Sequence, residues 1–238
     1  MKKIFNQFTY DKIRADNMFD PTIHTFINET YSQCHEDVII ASLVRAYFKR
    51  TNTQFSLSYV EIGANHPVAT SSTYLWKNIF NINGILVEAN PKLISELEKH
   101  RPNDIIINAA VIDSDEPSIS FYLGHENEIS SLNENFVANW KNLGVQEKIT
   151  VPTIRINQVL EQANTDMVLL SIDVEGMDLT IIRDIDFSKY RPFIIQAEPS
   201  DYFFPGTSDQ MINFLDSKNY KLVSETDVNL IFIDNTRQ

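Results

Sequence analysis

The sequence predicts a doubly wound α/β fold: a mostly parallel, seven-stranded sheet with an N-terminal helical extension. From about residue 56, short apolar runs alternate with helical patterns, which is typical of strands joined by helical crossovers. The runs are almost continuously apolar, as in strands covered on both faces. The last two runs are separated by a turn-length gap without a helix, which indicates a hairpin with one antiparallel strand.

The composition fits one well-cored domain and narrows the function classes. The chain has 238 residues, 43% of them hydrophobic, and a net charge of −12, which disfavours nucleic-acid binding. Cys34 is the single cysteine, so an intrachain disulfide is excluded and a reducing compartment is expected. The basic start lacks a following apolar stretch, and no window approaches the ~20 apolar residues of a membrane span. These features predict a soluble cytoplasmic protein.

The N-terminal part differs from the rest of the chain. Residues 1–55 contain an irregular polar lead-in and one helical pattern, EDVIIASLVRAYF, at 36–48. We therefore expect a helical extension over 1–55, packed on a core domain that covers 56–238.

The elements of the core domain follow in order. Five strands are expected at 57–63, 84–89, 104–112, 167–173 and 192–198, and the hairpin at 220–227 and 228–234. After the second strand, Asn90 and Pro91 suit the N-cap and first position of a helix. Further helices are expected at 175–185 and 208–219, the latter with an apolar stripe of Met211, Phe214 and Leu215.

A polar segment at about 124–146 interrupts this alternation. Loops of this length in compact domains are usually functional or disordered. We expect a lid, because the segment also carries apolar side chains, Leu132 and Trp140, that could dock on the core.

The turn after the first strand, YVEIGANHPVAT at 59–70, contains Gly63 but no second glycine, and Pro67 follows. A dinucleotide-binding turn would read G-x-G-x-x-G to make room for a pyrophosphate. The turn therefore predicts a ligand that needs one close backbone approach and has no pyrophosphate.

Several motifs together resemble the FkbM-type methyltransferases, in their GAN-x-P branch. They are YSQCHED (31–37), YVEIGANHP (59–67), SSTY (71–74), GILVEANP (84–91), DVEGMD (173–178) and DVNLIFI (227–233). The branch usually has Gly and Glu where Cys34-His35-Glu36 stand, and Asp where Glu61 stands. The resemblance implies a class I methyltransferase fold with strand order 3-2-1-4-5-7-6. It also implies methyl transfer from S-adenosylmethionine, which has no phosphate, to a hydroxyl of a small-molecule or saccharide acceptor.

Within that interpretation, Glu88 at the end of the second strand suits the ribose hydroxyls. Glu61 and Asn65 flank Gly63, and a carboxylate there could meet the ammonium of the methionine part. The remaining cofactor candidates are Gln33 of the YSQCHED motif, Ser72 and Thr73 for the methionine carboxylate, and Ala109, within 108–113, near the adenine. Helix capping is the alternative role for Glu61, Ser72 and Thr73.

The chemistry is expected at the carboxyl ends of the strands. Asp173 and Glu198 end neighbouring strands ~4.8 Å apart, so they could act as a general base or hold Mg²⁺. Glu175 could join them or serve as a first-turn helix acid, and His66 could contact the methyl donor or act as the base. A Rossmann-type NAD-dependent oxidoreductase and a catalytically inactive binding protein remain alternatives, and the oligomeric state stays open.

Overall fold

The computed structural model describes residues 29–51, 56–163 and 167–237. Ten strands are present in these ranges. They are β1 (Ser56–Ile62), β2 (Ile85–Glu88), β3 (Ile105–Asn108), β4 (Ala110–Ile112), β5 (Ser118–Leu123), β6 (Glu147–Arg155), β7 (Met167–Ile172), β8 (Ile194–Ala197), β9 (Tyr220–Glu225) and β10 (Leu230–Asp234). Seven of them form the main sheet, in the order β3-β2-β1-β7-β8-β10-β9.

The sheet topology confirms the predicted fold class. When the seven strands are numbered along the chain, their order is 3-2-1-4-5-7-6. Strands β1, β2, β3, β7 and β8 pair in parallel, whereas β10 runs antiparallel to both β8 and β9. The carboxyl ends of the five parallel strands therefore meet at one edge of the sheet.

Helices cover both faces of the sheet, as the apolar strands require. They are α1 (Glu36–Thr51), α2 (Tyr74–Phe80), α3 (Ile94–His100), α4 (Glu134–Asn139), α5 (Ile156–Gln162), α6 (Asp178–Asp184) and α7 (Thr207–Ser217). Helices α1, α2 and α3 pack on one face in a core that includes Trp76 and Leu97. Helices α5, α6 and α7 pack on the other face through residues such as Ile182 and Leu215.

Helix α1 forms part of this core, since Ile40, Val44 and Phe48 are buried in it. Of the N-terminal extension, residues 1–28 and 52–55 lie outside the described residues. The division of the chain at residue 55 therefore stays a prediction. None of the helices in the described ranges has the length and apolar character that crossing a bilayer requires.

The expected third strand, 104–112, is two strands. The apolar run divides at Ala109, where the Asn108 side chain donates to the carbonyls of Glu88 (2.8 Å) and Ala89 (3.2 Å). Beyond this point β4 leaves the main sheet and pairs in parallel with β6, which pairs antiparallel with β5. This second sheet, of order β4-β6-β5, was not predicted from the sequence.

Helix α3 begins at Ile94, so the predicted start at Pro91 was wrong. The Asn90 side chain accepts a hydrogen bond from the backbone N–H of Lys92 at 3.1 Å, which stabilises a turn ahead of the helix. Helices α4 and α5 were not predicted.

Candidate functional site

A cavity of about 740 Å³ opens at the carboxyl ends of the parallel strands. This is where open α/β sheets bind ligands, and the volume is ordinary for a small-molecule site. One half of its wall comes from the ends of β1, β2 and β3, and the other half from the ends of β7 and β8. Residues from segment 124–146 close the outer side, among them Glu126, Phe136 and Trp140.

Gly63 lines the first half of the cavity, with φ at +82°. A Cβ atom at this position would lie 1.8 Å from the carbonyl oxygen of Asp173, so no other residue fits without moving the backbone. The backbone N–H of Gly63 donates to the carbonyl of Val87 at 2.9 Å. The turn after β1 is therefore pressed against the end of β7.

Glu88 holds the same turn from the cavity side. Its carboxylate accepts hydrogen bonds from the backbone N–H groups of Asn65 (2.8 Å) and Asn90 (2.7 Å). Burial raises the pKa of this carboxyl, and these N–H groups act in the opposite direction. A carboxylate offers about four acceptor positions, so Glu88 can still accept from the hydroxyls of a ligand.

The structure brings most of the residues predicted to contact the cofactor to the cavity wall. Gln33, Gly63, Asn65, Glu88 and Ala109 all line the cavity. Ala109 does so because the chain turns there from β3 into β4. Gln33 lines the cavity from the segment before α1, and Val228, in the turn between β9 and β10, lines it too.

Glu61, Ser72 and Thr73 lie behind the wall. The Glu61 carboxylate accepts from the backbone N–H of Ser72 (2.9 Å) and the hydroxyl of Thr73 (2.6 Å). Burial raises the Glu61 pKa, and the nearby Arg101 guanidinium opposes this shift. Ser72 Oγ accepts from the side chain of Gln196 at 2.8 Å. The helix that begins at Tyr74 has no side-chain capping hydrogen bond at its N-cap, Thr73. Capping by these residues and their direct contact with the cofactor both stay predictions.

His66 is exposed and does not line the cavity. Its Nδ1 atom accepts hydrogen bonds from the backbone N–H groups of Val68 (3.1 Å) and Ala69 (2.8 Å). The ring thus shapes the turn, and its role as a base stays a prediction.

Three acids converge on the second half of the cavity. Asp173, Glu175 and Glu198 each offer a carboxylate oxygen within 4.8 Å of the others. We call these three residues the acid cluster. Asp173 and Glu198 share a hydrogen bond, which requires a proton between two carboxyl groups.

Burial, followed by repulsion within the acid cluster, raises the pKa of Glu198 to about 9 and that of Glu175 to about 11. The pKa of Asp173 is also raised, mainly by burial. The cluster therefore retains protons near neutral pH.

A fourth acid, Asp178, lies behind the cluster and was not singled out from the sequence. Its side chain is buried, and its Oδ1 atom has no hydrogen-bond partner among the described residues. Burial raises its pKa well above the usual range, and the charge of Asp173 adds to this effect. Asp178 begins α6, a position that the sequence presents as an ordinary helix-start acid.

Segment 124–146 is folded against the second half of the cavity. The Phe136 ring packs on Phe203 with 4.4 Å between centroids, and Trp140 lies 5.8 Å from Phe203. Ser131 Oγ donates to the carbonyl of Glu175 at 2.8 Å, which ties the segment to the acid cluster.

Two polar atoms in the cavity wall have no hydrogen-bond partner among the described residues. They are Trp140 Nε1 and Ser200 Oγ, both of which are buried. Buried polar groups normally have partners, so these two atoms are exceptions. Sequence reasoning missed Ser200, which follows β8 in a positive-φ conformation.

Acids dominate the charge of the cavity. Among the described residues that line it, Lys141 is the single basic side chain. The acidic ones are Glu88, Glu126, Glu128, Asp173, Glu175 and Glu198.

Comparison with known proteins identifies the family and several distantly similar solved structures. Residues 61–222 match the family described as the methyltransferase FkbM domain. The chain is similar to precorrin-6y C5,15-methyltransferase from Geobacter metallireducens GS-15, at 13% identity and a TM-score of 0.43, covering 81% of this chain and 87% of that one. It is also similar to a methyltransferase from Pyrococcus furiosus, at 7% identity and a TM-score of 0.38, covering 81% and 82%. No curated protein matches the sequence.

Proposed function

The chain belongs to the FkbM methyltransferase domain family and is an S-adenosylmethionine-dependent methyltransferase; from this premise we propose that it methylates a hydroxyl oxygen of a small-molecule or saccharide acceptor. When bound, S-adenosylmethionine supplies an electrophilic methyl group on a positively charged sulfur. The protein must then hold the two reactants in line and take up the proton that the hydroxyl releases.

The acid cluster is the observation that carries this proposal. All three members line the cavity. The cluster adjoins the turn after β1, because the backbone carbonyl of Asp173 lies against Gly63. A carboxylate with a raised pKa is a stronger base than an exposed one, provided that one member of the cluster is ionised. The shared proton of Asp173 and Glu198 leaves one negative charge for the pair, and either residue can accept the hydroxyl proton.

The first half of the cavity suits a cofactor that has hydroxyl groups and no phosphate. Glu88 has acceptor positions left for ribose hydroxyls, and Gly63 lines the same half of the wall. Asn65 and Ala109 also line this half, Gln33 lines the cavity from the segment before α1, and Asp173 lies where the two halves meet. The fit supports cofactor binding by these residues.

The second half suits an acceptor with polar groups on an apolar ring or chain. Phe136, Trp140 and Phe203 offer apolar surface that can exclude water, and Ser200 adds a polar side chain to the wall. The excess of acids disfavours an anionic acceptor, because like charges in a cavity repel. We propose that residues 124–146 act as the lid over this half, in a methyltransferase domain that covers 56–238.

A variant of the mechanism has Mg²⁺ in the acid cluster. Asp173, Glu175 and Glu198 provide the oxygen ligands that Mg²⁺ prefers, and a cation there would lower the pKa of the acceptor hydroxyl. Thermal unfolding after chelation, with and without added Mg²⁺, tests this variant. If Mg²⁺ raises the melting temperature of the wild type and not of Glu198→Gln, this variant of the mechanism is supported. If Mg²⁺ leaves the wild-type melting temperature unchanged, the mechanism with a metal-free carboxylate base stands.

The proposed cofactor is tested by calorimetry with S-adenosylhomocysteine, the demethylated product. We expect one saturable site for this compound and no saturable binding of NAD. The opposite result, with NAD bound and no response to the adenosyl compound, would contradict the function and favour an oxidoreductase.

A further inference from the structure

Arg101 is fully buried behind the turn that carries Gly63, and all five of its N–H donors are hydrogen-bonded. The five bonds are Nε to Asp104 Oδ2 (2.7 Å), Nη1 to Pro67 O (3.1 Å) and Ser71 Oγ (3.3 Å), and Nη2 to Tyr59 OH (2.8 Å) and Thr73 Oγ1 (2.8 Å). Such a complete set fixes the guanidinium in one position.

Three of the five acceptors belong to the segment from Gly63 to Thr73, which we call the cofactor loop. Arg101 holds this loop at Pro67, Ser71 and Thr73. The other two bonds anchor the guanidinium to Tyr59 of β1 and to Asp104, just before β3. The loop is thereby tied to the framework of the sheet.

Glu61 holds the end of the same loop from within β1. Its carboxylate accepts from the hydroxyls of Ser71 (3.3 Å) and Thr73 (2.6 Å), which also accept from Arg101. Residues 71–73 thus lie between a buried cation and a buried anion. Burial opposes the charge of Arg101, but Tyr59, Glu61 and Asp104 outweigh it and raise the Arg101 pKa.

The opposite side of the cofactor loop faces the cavity. Gly63, Asn65 and Thr70 line it, and Glu88 holds the backbone N–H of Asn65. The loop is therefore clamped in front by Glu88 and behind by Arg101. Apolar side chains could fill the space behind the loop without desolvating any charge, so a charged network points to a need for defined geometry.

We propose that Arg101 and Glu61 are positioning residues for the cofactor, acting through the shape of the cofactor loop. The inference rests on the proposed function, since it takes the ligand to be S-adenosylmethionine. It gives Glu61 a role that needs no contact with the ligand. If the loop has its binding-competent shape in only a fraction of the molecules, the apparent affinity for the ligand falls in proportion to that fraction.

Calorimetry with S-adenosylhomocysteine tests the proposal in the full-length protein. Arg101→Lys keeps the charge but has three donors in place of five. We expect its dissociation constant to rise about tenfold or more. Thr73→Val, of similar shape, removes one acceptor of Arg101 and one donor to Glu61, and we expect a smaller rise in the same direction.

Arg191→Lys is the matched control. Arg191 binds Asp234 at 2.6 Å and the carbonyl of Lys218 at 3.0 Å, and none of the three lines the cavity. We expect this variant to lose stability without a change in the dissociation constant. Hydrogen exchange of peptides covering 63–73 in the ligand-free protein should accelerate in Arg101→Lys and not in Arg191→Lys.

The outcomes separate this inference from the proposed function. Wild-type protein that fails to bind S-adenosylhomocysteine would overturn the proposed function and the inference with it. Wild-type binding together with unchanged affinity and unchanged loop exchange in Arg101→Lys would overturn the inference alone. If Arg101→Lys does not fold, Thr73→Val decides by the same two measurements.

Discussion

At the scale of single residues, the buried carboxyl groups around the cavity differ in what faces them. Glu61 faces a guanidinium, and Glu88 faces backbone N–H groups, so both have partners that stabilise the charge. Asp173 and Glu198 face each other and the nearby Asp178. Because an unpaired buried charge is unfavourable, the acid cluster retains protons, and this makes its members the groups best suited to proton transfer.

Glu88→Gln should weaken binding of S-adenosylhomocysteine about ten- to a hundredfold. The amide keeps the shape of the side chain but loses the charge that strengthens hydrogen bonds from ligand hydroxyls, a loss of roughly 1.5–3 kcal/mol. Calorimetry measures the change, with Glu128→Gln as the control, since Glu128 lines the same cavity on the lid side. An unchanged dissociation constant in folded Glu88→Gln would remove Glu88 from the cofactor site.

Asp173→Asn and Glu198→Gln should lower turnover of a methyl acceptor by roughly 10²–10⁴-fold, the usual contribution of a general base. Glu198→Gln should still bind S-adenosylhomocysteine, because Glu198 lies on the acceptor half of the cavity. His66→Gln serves as the comparison and should keep its turnover, since His66 lies outside the cavity wall. Full turnover in both acid variants would place the chemistry elsewhere.

Residues at strand ends were predictable, and residues that act through tertiary contacts were not. Gly63, Glu88, Asp173 and Glu198 each follow an apolar run, and parallel strands bring their ends together. Arg101 stands in a polar stretch, EKHRPND, that is typical of a surface turn. Its burial depends on acceptors from β1 and from the cofactor loop, which no local pattern reveals.

At the scale of elements, the continuous apolar run 104–112 concealed a change of sheet. Both β3 and β4 are apolar, so hydrophobicity alone cannot mark the division at Ala109. The partners of β4 are also distant in sequence, since β6 lies some forty residues further on. The polar character of 124–146 did indicate a separate unit, but its docking on Phe203 could be seen only in the structure.

Segment 124–146 should be cut by trypsin at Lys141, the single Lys or Arg in that range. We expect S-adenosylhomocysteine with an acceptor to slow this cleavage, because a filled cavity stabilises the docked segment. Phe136→Ala should be cut faster, since it removes the ring that packs on Phe203. Equal cleavage rates with and without ligands, and in both proteins, would contradict a mobile lid.

At the scale of the whole molecule, alternation of strands and helices was enough to predict the class of fold. The strand order came from the resemblance, because a run of apolar strands is compatible with several orders. The pattern at 36–48 predicted helix α1, but it could not predict where this helix packs. It fills one face of the sheet beside α2 and α3, so its partners belong to distant parts of the chain.

The acid cluster should also make the free energy of unfolding depend on pH. The pKa of Glu198 is about 9 in the folded protein and has an ordinary value of 4.5. Between these values the folded state holds a proton that the unfolded state has released, so stability falls as pH rises, by up to about 1.4 kcal/mol per pH unit. Burial raises the pKa of Asp234, but hydrogen bonds from Arg191 and Thr236 together outweigh burial and lower it. Asp234 therefore acts in the opposite direction, and only at acidic pH.

Urea unfolding between pH 6 and 8.5, in chelator and without ligand, measures this dependence. We expect the wild-type midpoint to fall with rising pH, and Glu198→Gln to show a flatter curve and greater stability at the alkaline end. Glu98→Gln, at an exposed position on α3, is the control and should follow the wild type. If Glu198→Gln keeps the wild-type slope, Glu198 does not hold the proton, and the base must be sought among the other acids that line the cavity.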